Sequence, residues 1–186
     1  MLKTIVLVAA ALGGSAFAAT APTGAFGIPF GTPISELNIV RAGGPSLFVV
    51  SPPQPHPAFD SLTAVVASSG LGVCSISAMG DDIDGDRDGA RIRRQYAAVK
   101  ADLIEKYGPP SRDTNYLKPG SSDYVYFWSE GIKTRERIYE TYWGDDLVHL
   151  EVEAGSDGDP YLTIEYLSPT YAACMQSIRS ASKSAL

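Results

Sequence analysis

Hydrophobic positions recur along this chain in two rhythms. Ile92, Tyr96, Val99, Leu103 and Tyr107 fall three or four residues apart, so they share one face of a helix. Ile104 widens that stripe, while Arg93, Arg94, Lys100, Asp102, Glu105 and Lys106 lie mostly elsewhere and face water. The helix starts between Asp88 and Ile92. It must stop at Gly108, which tolerates the left-handed conformation, because Pro109 and Pro110 cannot continue it. Lys106 in the last turn suits the helix dipole.

Elsewhere the rhythm is two. Residues 25–30, 47–51, 61–68, 73–78, 123–129, 147–154 and 161–167 read as strands. Over 147–154, Leu147, His149, Glu151 and Glu153 point outward, and Val148, Leu150 and Val152 inward. Alternation over 73–78 puts Cys74 on the face of Ile76. Ser69-Gly70-Leu71-Gly72 and the turn at 156–160 join two hairpins. Residues 131–143 suit either a helix, through Ile138 and Tyr142, or a strand; β-branched and aromatic content favours a strand from Arg137. Thr32 and Pro33 open a short helix that ends before Gly43. Residues 111–122 read as a polar loop. Ser168 and Pro169 open a last helix containing Cys174. Two stretches share a helix, then Gly-Pro, then strands (Gly44-Pro45 and Gly108-Pro109), which hints at two similar halves. Hairpins dominate, so the expected class is α+β: a mainly antiparallel sheet with one long central helix and a C-terminal helix packed on it.

The first residues read as a secretory signal peptide. Lys3 supplies the positive start, residues 5–12 the apolar run, and Ala16-Phe17-Ala18 the cleavage site. That run is too short to span a bilayer, and no other stretch approaches the necessary length. Residues 19–186 are then a single domain, periplasmic or secreted. No cysteine follows the apolar run, where a lipid-anchor acceptor would sit. The net charge of −6, with no basic block, makes nucleic acid a poor partner. The two cysteines, Cys74 and Cys174, are expected to form a disulfide in an oxidising compartment.

Candidate chemistry is sparse. Among the acids of 81–88, Asp84, Asp86 and Asp88 followed by Gly89 resemble the first half of the EF-hand calcium loop. Departures are plain: the twelfth position is Gln95 rather than a bidentate Glu, Arg91 stands where an aliphatic belongs, and no helix precedes the loop. The other reading is an acidic turn serving the following helix's N-terminus and its arginines. Calcium is thus the one cofactor to test; no other is implied. Tyr124, Tyr126 and Trp128 share one face of the 123–129 strand and form either core or a binding platform. Pro52 to Pro57 is extended or turning, and either docks on an aromatic partner or forms a rigid corner. Glu151, Glu153 and Glu165 could supply a glycosidase-like pair or simply face solvent. There is no G-x-S-x-G, no HExxH and no phosphate-binding glycine loop, and two histidines are few for a zinc site.

A helix, then Tyr107-Gly108-Pro109-Pro110, then an aromatic strand resembles the layout of small periplasmic helix-plus-sheet modules. These are the outer-membrane assembly lipoprotein family and the secreted β-lactamase-inhibitor-like repeats. The chain lacks the lipoprotein cysteine of the first. The resemblance implies a protein that binds proteins and is not an enzyme. With the catalytic motifs missing beside an exported, disulfide-tied α+β core, the expectation is a non-enzymatic interaction module, an inhibitor or envelope accessory, whose partner is another envelope or secreted protein. The alternatives are an envelope hydrolase using carboxylates, or a calcium-stabilised domain.

Overall fold

The computed structural model describes residues 20–68, 70–121 and 127–184. The leader read at 1–18 lies outside them. Eight strands form one sheet, each pair antiparallel, in the order β3-β4-β5-β6-β10-β9-β8-β7. They are β3 (Ile39–Ala42), β4 (Leu47–Val50), β5 (Leu62–Ser68), β6 (Gly72–Met79), β7 (Arg112–Leu117), β8 (Arg137–Trp143), β9 (Val148–Ala154) and β10 (Pro160–Leu167). A two-stranded ribbon, β1 (Gly24–Ala25) and β2 (Ile28–Pro29), precedes it. Helices α1 (Ala90–Tyr107), α2 (Trp128–Lys133) and α3 (Tyr171–Ser184) complete the α+β fold.

Helix α1 buries Ile92, Tyr96, Val99, Leu103 and Tyr107, the stripe that the spacing predicts. Each fully buried side chain of this size is worth about 1.5–3 kcal/mol. Its partners are the inward residues of the sheet, among them Ile76, Leu150, Leu162, Ile164 and Trp143, all nearly or fully buried. The first turn is held by Asp86, whose carboxylate accepts hydrogen bonds from the amides of Arg91 and Ile92 at 2.8–3.0 Å. The last turn ends at Gly108, whose carbonyl accepts from Trp143 Nε1 at 3.1 Å.

A polar chain, buried at Tyr96 and Thr141 and half exposed at Asp113, crosses from α1 to the sheet. Thr141 donates to Asp113 at 2.8 Å, so Tyr96 is the donor in its 2.6 Å bond to Thr141. Lys100 closes the chain on Asp113 at 2.5 Å. Burial pushes the Asp113 carboxyl up, but hydrogen bonds from Lys100 and Thr141 and the charge of Lys100 outweigh it, and the net shift is downward. The folded state therefore binds this proton more weakly than the unfolded chain does. Its contribution is complete above about pH 4 and is lost as pH falls through the lowered value. Asp113 is half exposed, so less than about 1 kcal/mol is at stake. Urea midpoints should separate wild type from Asp113→Asn at pH 6 and converge towards pH 3.

Several expected elements change. The 25–30 strand is a hairpin whose turn places Phe26 and Gly27 at positive φ. The short helix is a single 3-10 turn at Ile34–Glu36, with Pro33 rather than Thr32 at its cap, and 39–42 is strand. That removes the helix from the first of the two similar halves. Residues 112–117, expected as loop, are edge strand β7. The strand expected over 123–129 ends differently: Trp128 and Ser129 open α2, and Trp128 is buried. Tyr124 and Tyr126 lie outside the described residues. The last helix starts at Tyr171, later than Pro169.

Cys74 and Cys174 sit at disulfide distance, joining β6 to α3. The register skips Cys74, since Val66 faces Ser75 and Ala67 faces Val73. Simple alternation therefore fails at that residue, and Val73 through Ile76 are all buried. A sulfur pair of this kind fits an oxidising, extracytoplasmic compartment. No helix among the described residues is long and apolar enough to cross a membrane.

Candidate functional site

One face of the sheet is core; the other carries the concentrated polar chemistry. Antiparallel pairing sets the outward residues in rows across five strands, β7, β8, β9, β10 and β6. One row runs Arg112, Tyr142, His149, Glu165 and Ser77. The next runs Thr114, Glu140, Glu151, Thr163 and Met79. Directly opposed positions in such rows lie close enough for side chains to meet.

Within the first row three flat groups stack. The Arg112 guanidinium lies 3.8 Å from the Tyr142 ring centroid, and that ring stacks on His149 at 4.0 Å with planes 5° apart. Within the second, Glu140 faces Glu151. The Tyr142 hydroxyl donates to Glu140 Oε2 at 3.0 Å. Arg135, in the turn before β8, donates to Glu151 Oε1 at 2.6 Å and to Glu153 Oε1 at 3.3 Å. The Tyr161 hydroxyl donates to Glu153 Oε2 at 2.9 Å, and burial, then Glu153, push that phenol up to about 12. Burial also pushes the Glu151 carboxyl up, against the opposing pull of Arg135.

At the centre stands His149 Nε2, 3.4 Å from Glu140 Oε2 and 3.8 Å from Glu151 Oε2. The atom is closed off from solvent and makes no hydrogen bond. Glu140, His149 and Glu151 each bring a ligand atom to within 4.8 Å of the others, and they are the group of three among the described residues that does so. Asp84, Asp86 and Asp88 do not converge in this way; Asp86 is committed to α1, and Asp88 accepts from the Ala90 amide at 3.1 Å.

Comparison with known proteins finds no matching family model, no matching curated protein and no matching solved structure. The layout that resembled small periplasmic modules is not kept: the polar edge strand β7 follows Pro110, and Trp128 opens α2.

Other expected site residues fall elsewhere. Trp128 lies edge-on to Tyr139, with Arg93 and Arg137 guanidinium groups 5.4 and 5.7 Å from its ring. The proline segment folds back on its own chain: the Gln54 amide donates to the Phe26 carbonyl at 3.0 Å. It walls a cavity of about 240 Å³ with Phe26, His56, Phe59, Lys106 and Tyr166. Glu165 does not fall elsewhere: it stands opposite His149 in the first row and accepts from the Ser75 hydroxyl at 3.5 Å, while Glu151 and Glu153 share Arg135. Sequence reasoning placed His149 and Glu151 outward but missed Glu140, Tyr142 and Arg135. The usable signal was the alternation of Glu140 with Tyr142 once 137–143 is a strand.

Proposed function

We propose that this is an extracytoplasmic binding protein, exported by the leader at 1–18, whose ligand-contacting surface is the outer sheet face around His149. It works by recognition and not by turnover. The observation that carries this reading is the pairing of Glu140 with Glu151 across from each other, half-buried, beside an imidazole nitrogen with no hydrogen-bond partner. Like charges directly opposed destabilise a sheet, and a buried polar atom without a partner costs more. A fold that keeps both, and braces them with Arg135 and Tyr142, holds a site prepared for something else to complete. The cavities lined by His56 and by Arg87 and Ser129 lie apart from these residues.

The test is stability. In urea unfolding at pH 8, Glu140→Gln should stabilise the chelator-treated protein by about 0.5 kcal/mol or more. Glutamine still accepts from Tyr142. A drop in stability would mean that Glu140 serves the fold. A panel of ester, glycoside and peptide substrates should show no turnover; activity abolished by Glu140→Gln or Glu151→Gln would replace binding with carboxylate catalysis.

A further inference from the structure

We propose that Glu140, His149 and Glu151 bind a divalent transition-metal cation, Zn²⁺ foremost, through one imidazole nitrogen and two carboxylate oxygens. The inference rests on the outer face being a binding site and names the ligand class for it.

Distance is the first argument. Zn²⁺ holds its ligands at about 2.0–2.2 Å, so two ligands in a tetrahedral shell stand about 3.3–3.5 Å apart. Nε2 and Glu140 Oε2 are 3.4 Å apart, and Nε2 and Glu151 Oε2 are 3.8 Å apart. The three ligand atoms lie within 4.8 Å of one another, so the carboxylates close in on the ion to complete three corners.

The second argument is the unmet bonding of His149. An N–H at Nε2 has no acceptor in line, because neither carboxylate oxygen makes a hydrogen bond to it. A bare lone pair there faces two carboxylates. A cation at their centre satisfies all three groups at once, and its two charges balance the two glutamates. Imidazole with carboxylates suits Zn²⁺, Mn²⁺, Fe²⁺ or Co²⁺; Ca²⁺ and Mg²⁺ prefer all-oxygen shells.

The third is bracing. Groups behind metal ligands fix their orientation, and their loss typically costs about 10–100-fold in affinity. Arg135 holds the Glu151 oxygen that points away from His149, and Tyr142 both stacks on His149 and donates to Glu140.

The experiment is calorimetric titration of ZnCl₂ into the tag-free, chelator-stripped protein, with far-UV circular dichroism to confirm folding. One equivalent should bind saturably, and His149→Gln should weaken it about 100-fold or more. Glu151→Gln gives the same readout should His149→Gln fail to fold. Unchanged affinity in the folded variants, or no saturable binding at millimolar Zn²⁺, overturns the metal assignment. If that happens while Glu140→Gln still stabilises, the binding face stands and only its ligand class falls. If Glu140→Gln destabilises the stripped protein, the binding-face reading itself falls, and the metal assignment with it.

Discussion

Replacing Cys74 and Cys174 together by alanine is expected to remove about 4–5 kcal/mol of stability, the largest effect of any change considered. The bridge closes a loop of 100 residues, and on the chain-entropy model a crosslink of that span restricts the unfolded ensemble by about that amount. The folded side reinforces the expectation. Among the described residues of α3, Cys174 is the buried one; the rest of the helix is half-exposed or exposed. Without the sulfur link, α3 keeps the Ser168 amide bond to the Cys74 carbonyl and modest contact with β5 and β6. Amide exchange should therefore show 171–183 opening well before the sheet, and urea midpoints should fall for the whole domain. Unchanged exchange in α3 would mean that its packing, and not the bridge, holds it.

Gly89→Ala is expected to cost about 2–4 kcal/mol, although it adds one methyl group. Two costs combine. Gly89 has φ near 68°, where a side chain is disfavoured by about 1–2 kcal/mol. Its Cβ would also stand 2.2 Å from Cε3 of Trp128 and 2.5 Å from the next ring atom. Trp128 cannot simply move aside, because Tyr139, Arg93 and Arg137 surround it. Overpacking of that kind typically costs about 1–3 kcal/mol. Gly85→Ala is the control: its φ is similar, but its Cβ meets open space, so only the backbone cost of about 1–2 kcal/mol should appear. Equal losses in both variants would remove the Trp128 contact from the explanation. Gly89, which sits at the glycine position of a calcium loop in the sequence, is thus required here by backbone conformation and by a tryptophan ring.

Legibility followed the strength of the periodic signal. Helix α1 and its five buried residues could be read because a wide stripe at helical spacing ended in Gly-Pro-Pro. The hairpin of β9 and β10 could be read because its alternation is clean, and β8 begins at Arg137 as its composition suggested. Strand β7 was hidden because it is an edge strand with no buried residue, so nothing forces alternation. Strand β3 was hidden likewise: all four residues are exposed. Trp128 misled because an aromatic run suggests a strand, whereas this ring is buried at the start of a helix, against Gly89. His149 and Glu151 were placed on the outer face correctly. What made them a site was register, which sets Glu140 opposite Glu151 and Tyr142 opposite His149, and no single-strand pattern carries that information.

The outer face around His149 is tested most directly by anomalous scattering from crystals grown with ZnCl₂, measured on both sides of the zinc absorption edge. The account expects a peak about 2.0–2.1 Å from His149 Nε2, within bonding reach of Glu140 and Glu151. A map with no peak there, or with zinc only on scattered surface carboxylates, would contradict it.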